Sequence, residues 1–185
     1  MLTMVNINKQ KLTILQQNIL RVLFRKSGVS LNQRQLANLL GVTPPAIIKA
    51  LPLLEKLGFI KLNKDKETKR FSIELNKNNL RVMQLKRVDN LKQVYESDLA
   101  DFLEKEYAGA IIILFGSYSR GDDLLNSDID IAIIGRKKKD VNLENYEKFL
   151  ERKIIINFYE SSNKIHKSLK ENLANGIVLA GGFEL

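Results

Sequence analysis

The sequence contains no cysteine, no tryptophan, one histidine and three prolines among its 185 residues. Without cysteine the chain forms no disulfide bond, no thiolate metal site and no cysteine nucleophile, so nothing argues for an oxidising compartment. No apolar run approaches the ~20 residues of a membrane span, and the opening residues MLTMVNINKQ lack the charged-then-apolar pattern of a signal peptide. We therefore expect a cytoplasmic protein that has no membrane partner.

Charge is abundant, and it is unevenly distributed along the chain. With 44% hydrophobic and 28% charged residues the composition is globular, which excludes global disorder, and the length allows one domain or two small ones. Residues 1–80 hold 14 Lys+Arg against 4 Asp+Glu, residues 81–107 hold 5 against 6, and residues 108–185 hold 11 against 11. The net charge of +9 thus comes from the first 80 residues. This predicts either a polyanion-binding first half or a solvated basic surface.

Helix signals dominate the first half of the chain. Apolar residues at helical spacing predict a first helix over 12–26. Asn32 is suited to cap a second helix that ends at Gly41. Thr43 is suited to cap a third, which begins with a proline and ends at Gly58. The first half therefore starts with three short helices.

Two β-type runs, FIKLN (59–63) and RFSIEL (70–75), follow these helices and are joined by the polar segment KDKETK. Three helices followed by a β-hairpin is the winged-helix order. The segment LANLLGVTPPAIIKALPLLEKLGFIKL resembles the helix-turn-helix and wing entry of winged-helix transcriptional regulators, within residues 12–76. The resemblance implies a winged helix-turn-helix DNA-binding domain over residues 1–78.

The third helix has few side chains suited to reading DNA bases. Anchoring its apolar positions in the core leaves Lys49 as the one outward residue suited to a base-edge or phosphate contact, and Pro52 lies in the helix interior. We therefore expect DNA binding mainly through phosphates; the alternative is that the apolar outer face docks on another protein or forms a homodimer. The remaining candidate DNA contacts are the cations of the wing: Lys61, Lys64, Lys66, Lys69 and Arg70.

The second half begins with a predicted long connecting helix at residues 79–107 and continues as an α/β domain over 108–185. Apolar runs predict strands at 110–115, 128–134 and 153–159, and helical segments alternate with them. The periodicity of the connecting helix predicts one packed apolar face, formed by Val82, Leu85, Val88, Leu91, Tyr95, Leu99, Phe102 and Leu103.

A glycine-serine turn and an acidic pair lie in the second half. Gly116 and Ser117 follow the first strand, and ten residues separate Ser117 from Asp128. Asp128 and Asp130 point to the same side of the next strand, so their carboxylates require a cation such as Mg²⁺ or Mn²⁺. The glycine lets the backbone approach a phosphate, the serine offers a hydroxyl, and the following helix offers its N-terminus. The pattern predicts a site for a nucleoside triphosphate and its metal.

The segment LFGSYSRGDDLLNSDIDIAII resembles the signature of the minimal nucleotidyltransferases of the DNA polymerase β superfamily, and the resemblance spans residues 108–181. It implies a mixed sheet flanked by helices, and transfer of a nucleoside monophosphate to a hydroxyl acceptor. Asp128 and Asp130 would be catalytic and hold the metal, while Gly116 and Ser117 bind the triphosphate. Arg120, in the same turn, is the best local candidate for countering phosphate charge.

One feature departs from that signature. Active members of the superfamily usually carry a third carboxylate on a following strand, and KIIINFY contains none. Asn157 is its polar interior residue, and an amide can ligate a metal but cannot act as a general base. The alternative function is therefore a non-catalytic transcriptional regulator whose nucleotidyltransferase fold senses a nucleotide or mediates association. A third possibility resembles the antitoxin members of the family, which act on a HEPN-domain toxin.

Overall fold

The structure is a computed structural model that describes residues 11–64, 71–161 and 165–182. The chain divides into two compact units: Met1–Arg25 with Val29–Asn76, and Lys26–Gly28 with Lys77–Leu185. Among the described residues no single helix is long and apolar enough to cross a membrane; one pair of helices meets the criterion only when taken together, and that pair is bent by 107°.

The first unit contains three helices followed by a two-stranded antiparallel hairpin, in the order expected from the sequence. Residue Ile60 pairs with Leu75 at one end of the hairpin, and Leu31 adds a single bridge to Ile73. Buried residues from all three helices and the hairpin form its core. The elements are α1 (Ile14–Arg25), α2 (Gln33–Leu40), α3 (Pro44–Lys56), β1 (Ile60–Lys64) and β2 (Phe71–Leu75).

The ends of α2 follow the local signals in the sequence. The Asn32 side chain accepts hydrogen bonds from the backbone of Arg34 and Gln35, and the Gln35 side chain accepts one from the Asn32 backbone, which completes a capping box. Gly41 ends the helix in the left-handed conformation, with φ 63°. Thr43 occupies the N-cap position of α3, but its side chain makes no capping hydrogen bond.

The second unit is built on a four-stranded mixed sheet in the order β5-β4-β3-β6. Strands β4 and β5 are parallel, whereas β3 pairs antiparallel with both β4 and β6. The mixed sheet flanked by helices agrees with the expected class, and β6 is a strand that the sequence reasoning did not identify. The elements are α4 (Leu80–Glu96), α5 (Leu99–Glu106), β3 (Ile111–Phe115), α6 (Gly116–Arg120), β4 (Ile129–Ile134), α7 (Glu144–Leu150), β5 (Ile154–Tyr159), α8 (Lys167–Ala174) and β6 (Ile177–Ala180).

The sheet buries both of its faces, which explains the continuous apolar runs in the sequence. Ile112 and Leu114 lie in a core cluster with residues of α4, α5 and α7, whereas Ile113 and Phe115 lie in a second cluster with Leu173 of α8. Because side chains alternate along a strand, Asp130 belongs to the same face as Ala132 and Ile134, the face covered by α8. Asp130, the first residue of β4 on that face, is therefore available for a site at the beginning of the strand.

The single connecting helix predicted at 79–107 is wrong, because two helices occupy this region. Helix α4 ends at Glu96; the hydroxyl of the C-cap residue Ser97 donates to the Val94 carbonyl oxygen at 2.9 Å, and Asp98 adopts the left-handed conformation with φ 59°. Asp tolerates this conformation better than most residues, so it serves as the joint. The chain then resumes as α5, and both helices belong to the second unit.

The predicted apolar face is confirmed for Val82, which is fully buried, and for Leu91, which packs against the core, but it is wrong for three other residues of α4. Val88 is 66% exposed, Tyr95 47% and Leu85 37%. The buried side of the helix combines Val82 and Val94 with polar residues: Lys86, Asn90 and Gln93. A helix normally buries its more apolar face, so specific polar contacts must determine the orientation of α4.

Candidate functional site

Gly116 places the turn after β3 against the acidic strand β4. Its φ of 72° lies in the left-handed region, and a Cβ there would overlap the carboxylate of Asp130, lying 3.2 Å from its Cγ. Phe115, the residue before the glycine, pairs in register with Asp130 across the antiparallel ladder. Both the backbone conformation and the close approach therefore require glycine at position 116.

Asp128 and Asp130 lie on either side of the buried Ile129, at the start of β4. The Ile129 N–H donates to the Lys153 carbonyl oxygen at 2.8 Å, which ties the start of β4 to the start of β5. Burial raises the pKa of the Asp130 carboxyl, the neighbouring Asp128 carboxylate raises it further, and Arg120 opposes both effects. Two carboxylates and one guanidinium thus interact electrostatically beside Gly116.

Helix α6 carries Ser117 and Arg120. It spans five residues, so its dipole contributes little to phosphate binding. Ser117 is half-buried directly after Gly116, whereas Arg120 is 47% exposed and its Nε lies 3.2 Å from the Asp122 carboxylate. Arg120 is the cation that acts on Asp130 electrostatically, so it can also offset the charge of a phosphate bound at this turn.

The acidic pair fits a magnesium ion that shares its ligands with a substrate. Mg²⁺ is usually held by one or two carboxylates together with substrate phosphates, and the like-charge repulsion felt by Asp130 is what a cation would relieve. Within the described ranges no group of three His, Cys, Asp or Glu side chains could hold a metal. Ile155 is in register with Asp130 on the neighbouring strand, and Asn157 is in register with Ala132.

Comparison with known proteins shows which family and which proteins this chain resembles. The nucleotidyltransferase domain family matches residues 96–179. A protein of Methanocaldococcus jannaschii named "Putative protein adenylyltransferase MJ0604" is 34% identical over 88 residues, which are 45% of this chain and 88% of that protein. The chain belongs to the nucleotidyltransferase family. A solved structure of the S. aureus MepR–DNA complex covers 51% of this chain and 81% of its own chain, with 23% identity and a TM-score of 0.37.

This nucleotidyltransferase contains a buried polar cluster that sequence reasoning missed. Lys86 of α4 is fully buried and forms an ion pair with Asp123, and its Nζ also donates to the Asp123 carbonyl oxygen at 3.0 Å. The Asn90 side chain donates to the Asp123 carboxylate at 2.7 Å, and Arg152 Nη2 lies 3.9 Å from the same carboxylate. No local pattern signals the cluster, because its partners are 29 or more positions apart in sequence.

The candidate DNA contacts of the nucleotidyltransferase chain lie in its first unit. Lys49 is exposed on α3, and Ile48 and Pro52 are exposed beside it, as expected. Lys61 and Lys64 are exposed on β1, and Lys64 Nζ lies 5.7 Å from the centre of the Phe71 ring. The remaining candidates lie outside the described residues: Lys66, Lys69 and Arg70.

Proposed function

We propose that the chain transfers a nucleoside monophosphate from a nucleoside triphosphate to a hydroxyl acceptor. The observation that carries this proposal is the turn at Gly116, whose backbone is held against the Asp130 carboxylate with no room for a side chain. This arrangement brings backbone amides and a metal-binding carboxylate to the same place, which a triphosphate–Mg²⁺ complex requires.

The residues of the chain have distinct parts in this reaction. Gly116 and Ser117 bind and orient the triphosphate, Arg120 offsets its charge, and Asp128 and Asp130 hold the cation. The acceptor hydroxyl loses its proton to water as its oxygen attacks the α-phosphorus, the bond from that phosphorus to the β-bridging oxygen breaks, and pyrophosphate leaves. A bound Mg²⁺ or Mn²⁺ ion supplies neutralisation of the charge that develops on the phosphoryl group.

We infer that the nucleotide is ATP and that the acceptor is a protein hydroxyl. The support is the name of the M. jannaschii relative, which is a protein adenylyltransferase by that name and is 34% identical over most of its length. This chain would then transfer adenylate to a serine, threonine or tyrosine side chain, its own or that of another protein.

Label transfer from nucleotide to protein tests the reaction. The chain is incubated with each α-labelled triphosphate and Mg²⁺ or Mn²⁺, alone and with a cell extract. We expect label from ATP, and Asp128→Asn or Asp130→Asn to lower the rate at least about 100-fold, because removing charge stabilisation at the reacting phosphate costs that much. Asp140→Asn is the matched control, because Asp140 is 97% exposed on a loop. Equal labelling by wild type and the Asp130→Asn variant would contradict the site.

A second candidate function is nucleotide sensing without transfer. It is favoured by Ile155, which stands in register with Asp130 where a third carboxylate could complete the metal site. Calorimetry with ATP and Mg²⁺ would then show binding while the labelling experiment shows no transfer. In that case we expect Ile155→Asp to create transfer that Ile155→Asn does not, because the two variants differ only by the charge of the new side chain.

We propose further that the first unit is a winged helix that binds DNA through its phosphates. The support is the excess of cations in the first 80 residues and the exposure of Lys49, Lys61 and Lys64. Its third helix exposes apolar Ile48 and Pro52 beside Lys49, which suits backbone contact better than base readout.

A salt-titrated binding assay on duplex DNA tests this second proposal. Each phosphate contact contributes about 0.9 to the slope of log affinity against log salt, so Lys61→Ala/Lys64→Ala is expected to reduce the slope by roughly 2. Lys92→Ala/Lys138→Ala removes two exposed lysines of the second unit and serves as the control. An unchanged slope in the first double variant would remove the hairpin from the interface.

A further inference from the structure

We propose that Lys86 and Asn90 of α4 are positioning residues that hold the loop between α6 and β4 in the arrangement needed for nucleotide transfer. The loop runs from Gly121 to Asp128, so it begins directly after Arg120 and ends at the first carboxylate of the acidic pair. The proposal rests on the proposed transfer reaction, and it adds residues that do not touch the nucleotide.

Helix α4 contacts this part of the chain at three successive points. Asn90 Nδ2 donates to the Tyr118 carbonyl oxygen at 2.9 Å, inside α6. The backbone of α4 lies directly against Gly121, where a Cβ would be 2.5 Å from the Met83 carbonyl oxygen and 2.8 Å from the Arg87 nitrogen. Lys86 and Asn90 then bind Asp123 through its carboxylate and, for Lys86, through its backbone carbonyl.

A contribution to the free energy of folding does not explain why the ion pair between Lys86 and Asp123 is buried. A buried ion pair loses so much hydration that apolar residues of the same size are often as stabilising, and its best-attested contribution is a unique arrangement. Burial lowers the pKa of the Lys86 amino group, against the opposing effect of Asp123, which is a sign of this cost. The helix nevertheless turns Lys86 inward and leaves Val88 66% exposed.

A loop held in one arrangement keeps a constant distance between the two site residues at its ends. Arg120 and Asp128 are eight residues apart, and only this loop connects them along the chain. Asp130 pairs with Phe115 in the β3–β4 ladder and Gly116 directly follows Phe115, so both are anchored by the sheet when the loop moves. A displaced loop therefore separates Arg120 and Asp128 from a site whose other half is intact, and a shift of about 1 Å is enough to slow transfer about 100-fold.

The test replaces the charged pair by neutral side chains of similar size. Lys86→Met/Asp123→Asn removes both charges, and Lys92→Met, which breaks an exposed ion pair on the same helix, is the control. We measure thermal unfolding, hydrogen exchange at the amides of residues 121–128, Mn²⁺ affinity and the rate of transfer. Asn90→Ala is made in parallel as a milder change, in case the double variant does not fold.

We expect the double variant to unfold within a few degrees of wild type while its loop amides exchange at least about tenfold faster and its transfer rate falls tenfold to 100-fold. The KM for nucleotide should change less than kcat. Wild-type exchange and transfer in both the double variant and Asn90→Ala would overturn the proposal. If wild type transfers nothing, the proposed function fails, and amide exchange with Mn²⁺ affinity still decides whether α4 positions the loop.

Discussion

The two units use their charged residues in opposite ways. In the first unit every described lysine and arginine is at least partly exposed, whereas the second unit buries Lys86, Asp123 and Arg152 and half-buries Asp130. Exposed cations suit an interaction with a large polyanion, because they keep their hydration until a partner is bound. Buried charges fix geometry, because each needs a partner in a defined position. The exposed cations of the first unit and the buried charges of the second therefore suit two different kinds of function.

Two glycines, one in each unit, allow a direct test of this comparison, and substitution of Gly116 is expected to have the largest effect on transfer. Gly41 and Gly116 both have positive φ, yet a Cβ at Gly41 would meet nothing within 4 Å, whereas one at Gly116 would overlap Asp130. Gly116→Ala should lower transfer at least about 100-fold and weaken Mn²⁺ binding, because the carboxylate must move. Label transfer and titration with Mn²⁺ measure both effects.

Gly41→Ala is the matched control in the other unit. It carries the cost of the left-handed conformation alone, about 1 kcal/mol of unfolding free energy, and should leave transfer unchanged. If the two variants lose the same stability and neither loses activity, the contact between Gly116 and Asp130 has no part in the reaction.

The same contrast explains how much of the fold follows from the sequence. The first unit is marked by local signals: Asn32 with Gln35 caps α2, Gly41 ends it, and both act within a few residues. Strands β3 and β4 of the second unit were likewise predicted, since β3 is a continuous apolar run and β4 is apolar apart from Asp130. The short β6 was not identified, because its four residues carry little periodicity, although Asn175 with Gly176 and Gly181 with Gly182 flank it as turn signals.

Helix α4 is where sequence periodicity misleads. Its leucine, valine and tyrosine spacing indicates a packed apolar face, and the structure buries Lys86 and Asn90 instead. Asp123, the partner that holds Lys86 in its buried position, is 37 residues away in sequence, so no short segment of the sequence contains both residues. The acidic pair was proposed as a site from the i and i+2 spacing of a strand, and in the structure Asp128 lies one residue before β4.

Valine substitutions on α4 test that reversed orientation and carry the next largest effect. Val82 is fully buried and Val88 is 66% exposed, although both were expected to be in the core. Val82→Ala should reduce the free energy of unfolding by about 1–2 kcal/mol, and Val88→Ala by less than about 0.5 kcal/mol. Chemical denaturation measures both. If Val88→Ala lowered the free energy of unfolding more than Val82→Ala, the orientation of α4 described here would be contradicted.

The smallest expected effect concerns the charge of Asp130 itself. Burial and Asp128 raise the pKa of this carboxyl above its ordinary value of 3.8, so between the ordinary and the raised value the folded state binds more protons than the unfolded state. Stability contributed by the protonated group is therefore lost as the pH rises through that window.

Without divalent cations, Asp130→Asn should raise the Tm at pH 7 by up to about 2 °C and have less effect near pH 4. Excess Mg²⁺ should reverse the order by stabilising wild type alone, since only the unsubstituted site retains both carboxylates. A variant less stable than wild type at pH 7 without metal would mean that Asp130 is held by attractive contacts rather than strained by its surroundings.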